Sequence, residues 1–214
     1  METQEEVREY LEMDHRAVNE RFIDDLYAAG PVGDRVMDFG CGTAQIPVLL
    51  CQRSLDLQVL AVDASIEMLE AARIEVEMGG VVGQVQLAHA DCKTMGEYES
   101  GSVPTVISNS LIHHLPDPVP ALEQMARLVE PGGRVFVRDL ARPSSEQEIE
   151  DLVGQYAGEE SAYAQQLLRQ SLHAALTLGE IRDLAQGVGV DASEIQLTSD
   201  RHWTLDWTKA EAAG

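Results

Sequence analysis

The sequence predicts an α/β domain built on a doubly wound, mostly parallel β-sheet. Between residues 35 and 140, five short apolar runs alternate with amphipathic stretches. Such alternation implies right-handed crossovers and a parallel sheet with helices on both faces. Two further apolar runs, EIQLTS and HWTLDWT, flank Asp200-Arg201 and predict an antiparallel C-terminal β-hairpin, which brings the sheet to seven strands. The length of 214 residues, 44% of them hydrophobic, is sufficient for one full core.

Residues 4–29 are predicted to form an N-terminal helix. Thr3 and Glu6 fit a capping box, and the apolar residues that follow recur at helical spacing. Gly30-Pro31 ends this helix. We therefore divide the single domain into an N-terminal helical cap, residues 1–32, and a main part, residues 33–214.

The five buried strands have the length and apolar content of a parallel sheet. They are RVMDFG (35–40), LQVLAVD (57–63), QVQLAHAD (84–91), VPTVISNS (103–110) and GRVFVRDL (133–140). Two amphipathic stripes between them predict helices, one after Ser65 and one from Val119 to Val129. After strand five the alternation of strands and helices ends. A helical insertion follows over residues 141–176, and its first helix begins at Ser145. Thr177-x-x-Glu180 then caps another helix.

Charge and composition disfavour several classes of function, including nucleic-acid binding. The formal net charge is −22, which disfavours nucleic-acid binding because that binding depends on Lys and Arg neutralising phosphates. The N-terminus lacks the features of a signal peptide and no stretch has the length of a membrane span, so we expect a cytoplasmic protein without membrane insertion. The three cysteines lack CxxC spacing and predict reduced thiols without a metal site.

Candidate ligand-binding residues follow the strands, because open α/β sheets bind ligands at the carboxyl ends of their strands. Strand one ends in a G-x-G turn, Gly40 and Gly42, and Gln45 stands where a dinucleotide-binding motif has a third glycine. Strand two ends in Asp63, placed to accept hydrogen bonds from the hydroxyls of a ribose. The alternatives without a role in ligand binding are a purely structural turn and an Asp63 that only caps the next helix.

These segments together resemble the class I S-adenosylmethionine-dependent methyltransferases, of the small-molecule type found in ubiquinone and menaquinone biosynthesis. The segments that carry the resemblance, in order, are VMDFGCGTAQ, VLAVDAS, AHADCKTM, VISNSLIHHLPDP and LVEPGGRVFVRDL. The resemblance covers residues 33 to 140 and implies a Rossmann-like methyltransferase domain over 33–214. It also implies that the cofactor is S-adenosyl-L-methionine and the product S-adenosyl-L-homocysteine.

The resemblance assigns cofactor contacts residue by residue. Gly40 and Gly42 would hold the methionine end, with Asp38 and Asn109 near its ammonium group. The remaining cofactor contacts would be Asp63 on the ribose, Ala64 and Met68 beside the adenine, Asp91 on its amino group and Cys92 next to it. Both Cys92 and Cys41 are interpreted as small apolar residues that fill space, without a chemical role for their thiols.

Methyl transfer needs a base only when the acceptor carries a proton at neutral pH. His113 and His114 follow strand four and are the candidate catalytic residues, with a surface or supporting role as the alternative. If one of them is the base, we expect turnover to rise with pH through a pKa near 6–7. No metal site is indicated.

Substrate contacts are assigned to four residues. Tyr10 belongs to the N-terminal cap, Arg138 and Asp139 end strand five, and Arg201 lies in the hairpin turn. Asp139 either binds a substrate cation or braces a loop. Alternatively, Arg138 and Asp139 form an ion pair with each other. We expect the N-terminal cap and the 141–176 insertion to cover the cleft, and a sheet without residues 1–29 to stay folded.

The net charge favours a small neutral or cationic acceptor, methylated at carbon, nitrogen or oxygen. The chain is expected to act as a monomer or homodimer. Two other functions stay open: a non-catalytic S-adenosylmethionine-binding subunit or sensor, and an NAD-dependent oxidoreductase.

Overall fold

The structure is a computed structural model that describes residues 16–211. Its helices are α1 (Arg16–Ala29), α2 (Gln45–Arg53), α3 (Ile66–Met78), α4 (Val119–Leu128), α5 (Glu146–Ala157), α6 (Ala162–Ala174) and α7 (Leu178–Gly187). Short 3₁₀ turns lie at Ile112–His114 and Ala192–Glu194. Its strands are β1 (Arg35–Phe39), β2 (Gln58–Asp63), β3 (Val85–His89), β4 (Val103–Asn109), β5 (Val129–Leu140), β6 (Ile195–Leu197) and β7 (His202–Thr208).

The seven strands form one sheet in the order β3-β2-β1-β4-β5-β7-β6. Strands β1 to β5 pair in parallel, and β7 pairs antiparallel with both β5 and β6. This confirms the predicted doubly wound sheet with its C-terminal hairpin. From β1 the chain builds outward in one direction through β2 and β3, and then returns to place β4 on the other side of β1. That reversal opens a crevice at the carboxyl ends of β1 and β4.

Strand β5 is longer than predicted because it carries an irregularity at its start. Pro131-Gly132-Gly133 has the composition of a turn, and the predicted strand begins only after it. In the structure Val129 already pairs with Val103, and the register then shifts so that Arg134 pairs with Thr105. Four residues, 130–133, thus face a single residue of β4, and a positive φ of 77° at Gly132 accommodates the excess.

Helix α1 belongs to the core. Phe22 and Leu26 are 0% exposed, and the Phe22 ring meets the Phe136 ring of β5 edge to face at 5.3 Å between centroids. Arg138 of β5 donates to Asp25 at 2.8 Å. Deleting residues 1–29 would expose this face of the sheet, so we now expect the truncated chain to be destabilised by the loss of core packing. The first half of the predicted helix, with Tyr10, lies outside the described residues.

The insertion forms two helices with their own apolar cluster. The hydroxyls of Ser145 and Ser161 accept from the third backbone N–H of α5 and α6, and Thr177 makes the predicted capping box with Glu180. Helix α6 packs against the Ile112–His114 turn at the carboxyl end of β4. Between residues 16 and 211, no helix has the length and hydropathy needed to cross a bilayer.

Candidate functional site

The glycine turn after β1 has a backbone shape that side chains disfavour. Gly40 and Gly42 have φ angles of 69° and 53°. A Cβ at Gly40 would lie 2.7 Å from Cδ1 of Leu111, whereas a Cβ at Gly42 would meet nothing within 4 Å. The N–H groups of Gly40 and Cys41 both donate to Val62 O, which ties the turn to β2. The bare backbone at Gly42 is therefore accessible to a ligand.

Asp38 places a carboxylate inside this crevice without a protein partner. Its residue is 2% exposed, and its side chain makes no hydrogen bond or ion pair in the described structure. Burial, assisted by the negative charge of Asp63, raises the pKa of Asp38 to about 8. A ligand cation placed here would compensate the cost of the buried charge.

Asp63 braces the turn from the end of β2. Its carboxylate accepts from the backbone N–H groups of Gly42 and Ser65, each at 2.8 Å. Helix α3 is capped by Ser65, which accepts from Met68 N, so Asp63 is not the capping residue. Because a carboxylate offers about four acceptor positions, roughly two remain for ligand hydroxyls.

The predicted adenine contacts lie beyond β2 and β3. Ala64 is exposed, and its carbonyl oxygen lies 3.1 Å from His89 Nε2, whereas Met68 is 2% exposed. Asp91 accepts from Lys93 N at 2.9 Å and pairs with Lys93 Nζ at 3.2 Å.

The two thiols at the site are poor nucleophiles. Burial, with the charge of Asp91, raises the pKa of the Cys92 thiol to about 11. Burial also raises the pKa of Cys41 strongly, and the charges of Asp38 and Asp63 add to the effect. Both cysteines are protonated at neutral pH. This fits their interpretation as small apolar residues and gives them no role in thiolate chemistry.

The segment after β4 is braced by β5. Asn109 is half-buried and its side chain makes no hydrogen bond within residues 16–211, while Ser110 has a positive φ of 58°. Asp139 accepts from Ile112 N through Oδ2 and from His113 Nδ1 through Oδ1, both at 2.5 Å. Of the two roles considered for Asp139, the structure shows the bracing of a loop.

The His113–Asp139 contact was missed by the sequence reasoning. His113 and Asp139 have side chains that are 5% and 1% exposed, and His114 is exposed with its ring centroid 4.0 Å from that of His113. The available signal was topological: His113 follows the carboxyl end of β4, and Asp139 lies at the carboxyl end of β5, the adjacent parallel strand. Pairing of those strands brings a histidine and a carboxylate at their ends together.

The described substrate candidates Arg138, Asp139 and Arg201 have separate partners within the protein. Arg138 and Asp139 point to opposite faces of β5, so the reading that they satisfy each other is wrong. Arg138 donates instead to Asp25 and to Thr204. The guanidinium of Arg201 stacks on the Tyr156 ring at 3.2 Å and joins the hairpin turn to α5.

A second missed contact explains the residue that replaces the third glycine. Gln45 begins α2, and its side-chain oxygen accepts from Asn19 Nδ2 of α1 at 2.8 Å. Asn19 is 5% exposed. A buried polar residue on an apolar helix face was the signal in the sequence, since such groups need a partner. Across the described chain, no group of three or more His, Cys, Asp or Glu side chains is arranged to hold a metal ion.

Comparison with known sequences matches the part of the chain that contains β1 to β5 to one family. Residues 37–137 match the family described as a methyltransferase domain. A ubiquinone biosynthesis O-methyltransferase of Xanthomonas axonopodis pv. citri is 31% identical over 112 residues, which are 52% of this chain and 45% of the relative. One from Cupriavidus pinatubonensis is 28% identical over 172 residues, 78% of this chain and 64% of the relative. The chain thus spans about half to two thirds of these relatives.

Comparison with solved structures confirms the fold. A SAM-dependent methyltransferase from Aquifex aeolicus superposes with a TM-score of 0.74 at 14% identity, over 97% of this chain and 99% of that one. Phosphoethanolamine N-methyltransferase 2 from Haemonchus contortus, solved with S-adenosyl-L-methionine, superposes with a TM-score of 0.66 at 18% identity, over 90% of this chain and 53% of that one. The predicted Rossmann-like architecture therefore extends over nearly the whole chain.

Proposed function

We propose that this chain is a class I S-adenosylmethionine-dependent methyltransferase and that it transfers a methyl group from S-adenosyl-L-methionine to a small molecule. The observation that carries the proposal is the pair of carboxylates beside the open glycine turn: Asp38, buried without a partner, and Asp63, with acceptor positions to spare. The cofactor brings an ammonium group and two ribose hydroxyls, which match these two carboxylates.

The other residues around the crevice fit the same ligand. Gly40 and Gly42 would lie against its methionine end, with Asn109 at the end of β4 offering an oxygen to the ammonium group. Asp91 would accept from the adenine amino group. The adenine ring would lie beside the three residues Ala64, Met68 and Cys92. The bound cofactor supplies an activated methyl group on a sulfonium, so the protein has to bind, orient and exclude water.

The acceptor proposed here is a neutral molecule with a hydroxyl group. The relatives are named O-methyltransferases, and a net charge of −22 disfavours an anionic acceptor. A cationic acceptor is less well supported, because the described carboxylates near the edge of β5 are engaged: Asp139 by the turn, Asp25 by Arg138 and Asp200 by Tyr156. Proton removal from the hydroxyl is assigned to His113 or His114.

The cover over the acceptor is proposed to consist of α5 and α6, while the part of the predicted N-terminal cap before α1 lies outside the described residues and stays an expectation from the sequence. Packing of α6 on the Ile112–His114 turn supports this placement. Tyr10 and Arg201 stay candidates for substrate contact from those two sides, whereas Arg138 is engaged with α1. A cytoplasmic location and a monomeric or homodimeric state stay expectations from the sequence.

The deciding experiment is incubation with a metabolite extract and S-adenosyl-L-methionine carrying a labelled methyl group, followed by mass spectrometry. We expect a labelled small-molecule product together with S-adenosyl-L-homocysteine. Tight cofactor binding without any labelled product would instead support the non-catalytic subunit or sensor. Binding of NAD in place of S-adenosyl-L-methionine would support the oxidoreductase.

Asp63→Ala is expected to weaken binding of S-adenosyl-L-homocysteine by about 1.5–3 kcal/mol, roughly 10- to 150-fold, measured by calorimetry. The loss has two sources, the charge-assisted bonds to the ribose and the brace on Gly42 N. Asp56→Ala is the matched control, because it removes the same charge from an exposed position before β2. Equal affinity of the Asp63 variant and the wild type would contradict the ribose assignment.

A further inference from the structure

We propose that α5 and α6 move as one rigid lid, hinged at the base of the insertion, and that Tyr156 latches this lid closed on the hairpin turn before β7. The α5–α6 lid comprises residues 145–175, and the latch is the contact of Tyr156 with Asp200 and Arg201. This inference rests on the proposed function, because a lid has a task only if ligands enter and leave the crevice. It adds the hinge and the contact that controls the movement.

The α5–α6 lid has an apolar core of its own. All buried residues of this core except Leu140, which ends β5, lie within the lid. They are Ile149, Leu152, Val153, Leu172 and Ala175. Arg169 of α6 also donates to both carboxylate oxygens of Glu150 on α5, at 2.5 and 2.8 Å. Separating the two helices would expose their shared apolar faces to water, so they move together.

The base of the lid has the form of a hinge. One isolated parallel bridge joins Ala141 to Leu176, and Arg142 N donates to Leu176 O at 3.0 Å. Residues 142–144, which lead into the lid, belong to no helix or strand, and the chain leaves the lid directly into the cap of α7 at Thr177. A few residues at the ends of elements are enough to absorb the backbone rotation of a hinge.

Tyr156 joins the lid to the body of the protein. It lies in the last turn of α5, where its hydroxyl donates to Asp200 Oδ2 at 2.7 Å and the Arg201 guanidinium stacks on its ring at 3.2 Å. Burial lowers the pKa of Arg201, and a cation–π contact strengthens as the cation is withdrawn from water. The backbone of Arg201 is fixed, because its carbonyl oxygen accepts from Ala141 N at 2.8 Å.

The latch is strong enough to hold the lid and weak enough to release it. It consists of one hydrogen bond to a carboxylate and one stacked cation, and Tyr156 is 40% exposed, so water can replace both contacts. Contacts of this kind bias a two-state equilibrium towards the closed form and leave an open population on the order of 0.1–10%. Opening on the microsecond to millisecond timescale then controls the exchange of ligands.

The lid covers the turn that follows β4. Helix α6 packs on Ile112–His114, and Asn109, the proposed contact of the cofactor's ammonium group, lies just before this turn. Opening of the lid therefore uncovers the crevice at the methionine end of the cofactor. A lid that controls passage alone changes entry and exit by the same factor and leaves the dissociation constant unchanged.

The first test measures association and release of radiolabelled S-adenosyl-L-homocysteine by rapid mixing and by chase with unlabelled ligand. We expect Tyr156→Ala to raise both rate constants at least about tenfold, because the open population rises from at most about 10% towards complete opening. The dissociation constant should change by less than about threefold. Tyr156→Phe keeps the ring under Arg201 and loses the bond to Asp200, so its rate constants should lie between those of the wild type and Tyr156→Ala.

Tyr27→Ala is the matched control. Tyr27 of α1 lies under the Arg53 guanidinium, 4.6 Å from the ring centroid, and Arg53 pairs with Asp24 at 2.6 Å, so the same three residue types meet outside the lid. Its rate constants should equal those of the wild type. Unchanged rate constants in Tyr156→Ala would overturn the proposal. Faster release with unchanged association would also overturn it, because Tyr156 would then be a contact of the ligand.

Hydrogen exchange on the ligand-free full chain needs no cofactor and covers the case of a poorly folded variant. In Tyr156→Ala and Tyr156→Phe, the backbone N–H groups of the Ile112–His114 turn should exchange faster, while those inside α5 and α6 keep their protection. Loss of protection throughout both helices would show that Tyr156 holds them folded, which contradicts a rigid lid. If the wild type bound no S-adenosyl-L-homocysteine but exchange behaved as expected, the proposed function would be wrong and the latched movement would stand.

Discussion

Gly40→Ala is expected to destabilise the protein by about 2–5 kcal/mol and to weaken cofactor binding at least roughly tenfold. Two costs add. The φ of 69° is unfavourable for a residue with a Cβ, and that Cβ would lie 2.7 Å from Leu111 Cδ1. To relieve the clash, the turn has to move away from the segment that follows β4, which widens the crevice where the cofactor would lie.

Gly80→Ala separates the two costs. Gly80 has almost the same φ, 72°, but a Cβ there would meet nothing within 4 Å. We expect it to cost only the backbone term, about 1–2 kcal/mol, and to leave cofactor affinity unchanged. Denaturant unfolding and calorimetry on both variants measure the comparison.

Leu111→Ala on the Gly40→Ala background should recover part of the lost affinity, because it removes the side chain that the new Cβ meets. If Gly40→Ala and Gly80→Ala behaved alike in both measurements, the close approach to Leu111 would have no energetic consequence. The turn would then need glycine for its backbone angle alone.

The strands and the crevice were accessible to sequence reasoning because their signals are local. Each buried strand is a short apolar run, and the residue that leaves it at the carboxyl end lies next in the sequence. Asp38, Gly40 and Asp63 were found in this way, and the structure places all three around one turn. The hairpin was found for the same reason, since His202–Thr208 has its turn signal directly before it.

The contacts that sequence reasoning missed join residues distant in the chain. Asn19 reaches Gln45, and Asp139 reaches His113, across 26 positions in each pair. The role of α1 was misjudged similarly, because its apolar face fits a lid or a core equally well, and only Phe136 on a distant strand decides between them. Pairwise geometry of this kind depends on register and on which face a side chain occupies, and one residue of shift along a strand reverses that face.

Asp38→Asn is expected to make the cofactor-free protein more stable and to weaken its binding of the cofactor. The wild-type carboxylate is buried without a protein partner, and its pKa of about 8 lies far above the value near 3.9 of an unfolded chain. Between those two pH values the unfolded state is ionised and the folded state holds the proton. Folding stability therefore falls by about 1.4 kcal/mol per pH unit on this account as pH rises, and the loss levels off above pH 8.

The neutral amide that Asp38→Asn introduces removes that penalty, so the stability difference between variant and wild type should be smallest near pH 5 and grow to several kcal/mol at pH 8.5. Denaturant unfolding at pH 5, 7 and 8.5 measures it. A difference independent of pH would mean that Asp38 is not the titrating group.

Ligand binding should show the opposite effect of the same substitution. The ammonium group of S-adenosyl-L-homocysteine compensates a charge at position 38 and has nothing to compensate in the variant, so affinity at pH 8.5 should fall by roughly 10- to 150-fold. Asp206→Asn, whose carboxylate already pairs with Arg134, should lose stability and keep its affinity. If Asp38 serves binding, its carboxylate destabilises the ligand-free protein and is compensated by the bound ligand. If it served structure instead, the Asp38→Asn substitution would lower the stability of the protein.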